Sequence, residues 1–339
     1  MTGQSGAPDD GLRERADRNR AVLWLLLDAD RRLVTAVILS VVFLGLLAAG
    51  ALLPGAAEAV SGGDSVDTLF QGLLTATITG VTLVLTLNQL VLSQELGAVG
   101  DQRERMDGAM EFRRDAAAIL GEPVSPTDPA TFLGALVETT SERATALRQA
   151  VSGPADGELD GAVEDLTTAV VENASRTTAE LDGARFGAFE VIGAVLDFNY
   201  SWKLFAARRL RERHGDELNE PATAALDDLI EALRLFGPAR EHFKTLYFQW
   251  ELIDLSRRML AAAVPALLVA AGMVAFFDAA APATTAFGVE AVVVWVAAAA
   301  AASLVPFALL LAYILRIATV TKRTLSIGPF ILRETDEET

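Results

Sequence analysis

The chain has 339 residues, 52% of them apolar, with a net charge of −17 and a mean hydropathy of +0.35. Acidity and apolarity on this scale coexist only if the apolar residues are gathered into blocks, which excludes an ordinary pair of soluble domains. With no cysteine, disulfide frameworks, Cys-ligated zinc, iron–sulfur clusters and thiol nucleophiles are excluded as well.

Residues 1–32 form a polar N-terminal tail expected in the cytoplasm, carrying Arg13, Arg15, Arg18, Arg20, Arg31 and Arg32. Within it, Ala21 to Leu27 with Trp24 is an apolar patch that suits either the headgroup region or packing on a helical domain. Residues 33–53 are the first of four stretches that meet the length and apolarity of a membrane span, about 20 helical residues. It follows some thirty polar residues and no convincing cleavage motif follows it, so it reads as a retained anchor. The loop 54–68 contains Glu58, Asp64 and Asp67 and no cation, and is expected outside. The second span is 69–93, with Arg103, Arg105, Arg113 and Arg114 beyond it.

Residues 94–258 read as a cytoplasmic all-helical domain inserted between spans two and three. The second span is expected to continue as a helix over 101–120, past Gly97 and Gly100. Asp128-Pro129 opens a helix, with a capping side chain before a proline in the first turn, and Ser152-Gly153-Pro154 closes it. From Asp156 another helix carries Leu159, Val163, Leu166 and Val170 at spacings of three and four. A longer one keeps Phe189, Ile192, Leu196 and Tyr200 in register up to His214-Gly215. Asn219 to Phe236 makes one more, Gly237-Pro238 restarts the chain, and Phe243, Leu246, Trp250 and Ile253 line a helix entering the third span. Helices that continue into spans two and three would transmit tilt or rotation between domain and bilayer.

The third span is 259–277, the cation-free loop 278–288 is expected outside, the fourth span is 289–315, and 316–339 is a cytoplasmic C-terminal tail. Arg257 and Arg258 before span three, and Arg316, Lys322 and Arg323 after span four, agree with both termini inside a cell membrane.

Span two carries the one unusual pattern. Thr75, Thr79, Thr82, Thr86, Gln89 and Ser93 follow at steps of 4, 3, 4, 3 and 4, placing them on one stripe, with Thr68 and Gly72 extending it. Copies of this helix meeting along the stripe would present rings of hydroxyls and a Gln89 ring to a hydrated path. Close helix packing, with hydroxyls returned to carbonyls one turn back, explains the same pattern, as does a lipid cleft. Asn88 is expected to hydrogen-bond a neighbouring helix. Pro265 and Pro306 remove backbone hydrogen bonds from spans three and four and are candidate hinges.

The spans contain no Asp, Glu, His, Lys or Arg of the kind that couples ions or protons to transport. Neither Walker loops, Gly-x-Ser-x-Gly elbows nor His-Glu-x-x-His occur. His214 and His242 sit among charged neighbours, and the run Arg208, Arg209, Arg211, Arg213 is interleaved with Glu212. No enzyme activity, cofactor, metal or nucleic-acid partner is expected.

The segment TLVLTLNQLVLSQELG followed by GDQRERM, and HFKTLYFQWELIDLSRRML before span three, resemble an uncharacterised haloarchaeal family of multipass membrane proteins. The only lysines are Lys203, Lys244 and Lys322, a bias similar to that of salt-in archaea, in which surface acid reports salt adaptation. The resemblance implies a membrane location and carries no site residue. The expectation is an all-α protein of four transmembrane helices plus a cytoplasmic helical bundle, homo-oligomeric through span two and channel-like. The alternative is a non-conducting scaffold or signal sensor whose cytoplasmic helices bind a protein partner.

Overall fold

The computed structural model describes residues 20–27, 29–62, 64–151, 157–184, 189–277, 285–286 and 289–323. In chain order the helices are α1 (Arg20–Leu27), α2 (Arg31–Leu52), α3 (Ala56–Ser61), α4 (Asp64–Glu95), α5 (Val99–Leu120) and α6 (Pro129–Val151). There follow α7 (Glu158–Leu181), α8 (Phe189–Asp197), α9 (Tyr200–His214), α10 (Glu220–Phe276), α11 (Ala291–Ser303) and α12 (Val305–Arg323). Among the described residues the fold is all-α, save one antiparallel ladder of β1 (Thr285–Ala286) on β2 (Val289–Glu290).

The described residues form two compact units, one of residues 20–23, 97–248 and 321–323, the other of residues 24–96 and 249–320. The first is a helical bundle. α6 packs along α7, and α7 in turn meets α8 and α9. Its core joins Leu133, Leu136 and Leu147 of α6 to Val163, Leu166 and Val170 of α7, with Phe198, Leu226, Leu229 and Phe236. The apolar stripe of α7 is therefore buried as its spacing requires, because residues three and four apart share a helix face. α6 starts at Asp128, whose carboxylate accepts from the Thr131 backbone N–H at 2.9 Å and from its hydroxyl at 3.0 Å.

The second unit holds the long apolar helices. α2, α4 and α10 are each long and apolar enough to cross a membrane; α11 and α12, bent by 49° at a short break, make a fourth span if counted as one. Asp30 caps α2 by accepting from Arg32 N at 2.8 Å. α11 packs on α2, α3 and α4, and a Cβ added at Gly50 of α2 would lie 2.5 Å from Val293 Cγ1 of α11. Gly50 is thus the position at which these two helices approach too closely for any side chain.

Five sequence expectations are corrected. α4 begins at Asp64, inside what reads as a loop, and it does not continue as the next helix: the chain leaves helical geometry over 96–98, with Ala98 extended at φ −62°, ψ 154°. The single helix expected over Phe189 to His214 is two, because Asn199 accepts from the backbone N–H of Trp202 and so caps a new start. At Gly237-Pro238 there is no restart. α10 runs unbroken through both residues, with Phe236 and Ala239 fully buried on either side; burial outweighs the one lost backbone bond, and the missing Cβ of Gly237 makes room for the Tyr200 ring. Span four, lastly, is broken rather than continuous. The closure at 152–154 and the start at Asp156 lie outside the described residues.

Candidate functional site

The polar stripe of α4 and a cluster of charges at the ends of three apolar helices are the chemically distinctive parts of the second unit. On α4 the period of the sequence separates two faces. Val66, Phe70, Thr77 and Val84 are buried, with Leu73, Leu74 and Val81 packed beside them against α10, α11 and α12. The other face carries Thr68, Gly72, Thr75, Thr79, Thr82, Thr86, Gln89 and Ser93, and every one of them is exposed. Among the described residues no other helix of the unit covers the stripe.

The hydroxyls are satisfied locally. Thr75, Thr79, Thr82 and Thr86 each donate to the carbonyl four residues back, that of Gln71, Thr75, Ile78 and Thr82, at 2.8 to 3.0 Å, and Ser93 donates to Leu90 at 2.7 Å. Their protons are committed and their outward oxygens present lone pairs only. The Gln89 amide makes no hydrogen bond within the described residues; the half-buried Asn88 likewise lacks the interhelical bond expected of it. An amide left unpaired in hydrocarbon costs about 4–8 kcal/mol.

Of the two prolines, Pro265 lies exposed within α10 without interrupting it, so it is no break in this structure. Pro306 is buried at the start of α12, where the 49° bend falls. Its missing N–H ends the ladder that would join the two helices. Ser303, 2% exposed at the end of α11, has a hydroxyl oxygen with no hydrogen-bond partner.

The charge cluster joins α2, α10 and α12. Arg31 Nη2 meets Glu251 Oε1 at 2.5 Å, and the Tyr313 hydroxyl donates to Asp254 Oδ2 at 2.6 Å. Arg258 Nη2 reaches the same Asp254 oxygen at 2.9 Å. The guanidinium carbons of Arg31 and Arg258 lie 5.5 and 6.0 Å from the centre of the Tyr313 ring, so a buried aromatic is within cation–π reach of two cations. Arg316, 3% exposed, donates from Nε to Leu26 O at 3.2 Å and from Nη2 to Ala29 O, tying α12 to the carbonyl end of α1. Leu27 is buried and Trp24 exposed, so the apolar patch beginning at Trp24 packs within the same unit as the long apolar helices. Charge counting assigned Arg31, Arg258 and Arg316 only to membrane orientation. What could have marked them was Glu251 and Asp254 one turn apart before an apolar span.

In the first unit, Lys203 is fully buried. Its ammonium donates to Asn173 Oδ1 at 2.9 Å, lies 5.0 Å from the Phe198 ring centre, and Asn173 donates onward to Asp197 O at 3.1 Å. His214 meets Glu217 at 3.0 Å, His242 stacks edge-on with Phe243, and Arg211 pairs with Asp227; none of these groups converges with another into a reactive constellation among the described residues.

A family model covers residues 1–339, the whole chain. The chain belongs to the family of unknown function DUF7972. No curated protein and no solved structure matches it. Membership of DUF7972 agrees with the resemblance to an uncharacterised family, and several helices of this member are long and apolar enough to cross a membrane.

Proposed function

We propose that the protein is a homo-oligomeric, channel-like membrane protein in which copies meet along the α4 stripe around a hydrated path. The supporting observation is that all six candidate residues, Thr75, Thr79, Thr82, Thr86, Gln89 and Ser93, are exposed on the unit while the opposite face of α4 is buried in it. Left to lipid, that face would hold a row of hydroxyl oxygens and an unpaired amide; against other copies it gains partners and water. In this reading the cation-free loops face outward, both termini and the helical unit are cytoplasmic, and the protein is not an enzyme.

A second reading, a non-conducting scaffold or sensor, is favoured by the hydroxyl protons being spent on the helix itself, which lets the stripe serve as a dry seam. Planar-bilayer recording at high salt separates the two, comparing the native protein with Thr82→Leu and Gln89→Leu. Unitary currents changed by these substitutions support the channel. A folded oligomer without currents removes it and leaves the scaffold.

A further inference from the structure

The start of α5 is a second surface that lacks cover among the described residues. Every residue from 96 to 111 is exposed, including Val99, Met106 and Met110 at 87, 63 and 51%, whereas the later turns are anchored through Phe112, Ala116 and Ile119 in the bundle core. Val99, Met106 and Met110 are spaced by seven and four, hence on one side of the helix. Three solvated turns containing Gly100 and Gly108, each costing about 1 kcal/mol relative to alanine, have little reason of their own to be helical.

The segment is acidic, with Asp101, Glu104, Asp107 and Glu111 against Arg103 and Arg105 over residues 96–111, but Arg103 pairs with Asp107 on the helix itself, and the exposed apolar side chains lie on one side of it. The chain also brings two copies of the segment together. Only residues 96–98 separate α4 from α5, a span of at most about 14 Å, so copies joined along α4 must hold the starts of their α5 helices close to the same axis.

We infer that the first turns of α5 pair with those of a second copy through Val99, Met106 and Met110. This rests on the proposed contact along α4 and extends it past the membrane. Methionine suits such a contact because its unbranched side chain adapts to an imperfect seam.

The absence of native cysteine makes the test direct. Single-cysteine variants Thr79→Cys, Met106→Cys and, as a bundle-surface control, Glu180→Cys are made in the full chain and cross-linked in native membranes with a short bis-maleimide. Covalent dimers from positions 79 and 106 but not 180 are expected. Cross-linking at 79 without 106 overturns the α5 pairing and leaves the α4 contact standing; at 106 without 79 the pairing stands and the α4 contact falls. Silence at both, or equal yield at 180, overturns both. Met106→Glu with Met110→Glu should in addition lower the oligomer fraction at least fivefold by native mass spectrometry, while the melting of the monomer stays unchanged.

Discussion

Tyr313 donates its hydroxyl proton to Asp254 at 2.6 Å, a bond between residues 59 positions apart that fastens α12 to α10. Arg258 reaches the same carboxylate oxygen at 2.9 Å. Tyr313→Phe therefore leaves Asp254 one charged partner and should cost about 1.5 kcal/mol. Asp254→Ala strips both partners of their acceptor and, with the Asp254 and Arg258 side chains 44 and 38% exposed, should cost about 2 kcal/mol. Thermal melting in high-salt detergent measures both, and a larger loss for the tyrosine variant would contradict this arrangement.

The α4 stripe should be silent in the fold of the single chain. Thr79→Val keeps the shape and removes one locally bonded hydroxyl, so chain stability should change by no more than about 0.5 kcal/mol. Phe70→Ala, on the buried face of the same helix, should cost about 3–5 kcal/mol. Equal losses would mean the stripe is covered after all.

Gly50 and Gly45 lie on one helix and form a matched pair of probes. A Cβ at Gly50 would stand 2.5 Å from Val293 Cγ1, whereas nothing lies within 4 Å of one at Gly45. Gly50→Ala should destabilise the unit by about 1–3 kcal/mol through overpacking. Gly45→Ala should be neutral or stabilise by up to about 1 kcal/mol, from helix propensity alone. The sign of the difference in melting temperature decides.

Asp128 supplies the pH dependence. The Thr131 backbone N–H and hydroxyl hold its carboxyl below the ordinary 3.8. A depressed folded value contributes stability that is present above the unfolded value and fades as pH falls through the folded one. Asp128→Ala should cost about 1 kcal/mol at neutral pH, and the gap to the native protein should narrow once pH drops below 3.8. Asp128→Asn keeps the cap without a titrating group, so its stability should not show this acid-side loss. Denaturation curves from pH 7 to 2.5 would show it.

The apolar helices were legible because length and uninterrupted hydropathy leave a span few alternatives, and the stripe because its spacing is regular. Which way the stripe faces is not in the spacing: it depends on Val66, Phe70 and Val84 finding α10, α11 and α12. Gly237-Pro238 reads as a breaker in any local window, and only the core around Phe236 and Tyr200 shows why the helix passes through. The pair Arg31 and Glu251 was hidden by a separation of 220 residues, and Arg31 already had a sufficient explanation as a topological charge. The break after Glu95 turns on three residues, Leu96-Gly97-Ala98, whose glycine permits a bend without requiring one.

The break between Ser303 and Val305 divides the labour of two apolar helices bent by 49°. α11 packs on α2, α3 and α4, whereas α12 carries Tyr313 and Arg316, bonded to Asp254 of α10 and to the carbonyl end of α1, and adds its own contacts to α4 through Leu310 and to α2 through Ala312. In a continuous helix, inserting or deleting one residue near Val293 would rotate everything beyond it by about 100°. Here the interruption sets α12 on its own axis, so the register of Tyr313 against Asp254 is fixed by the contacts of α12 itself and not by the phase of α11.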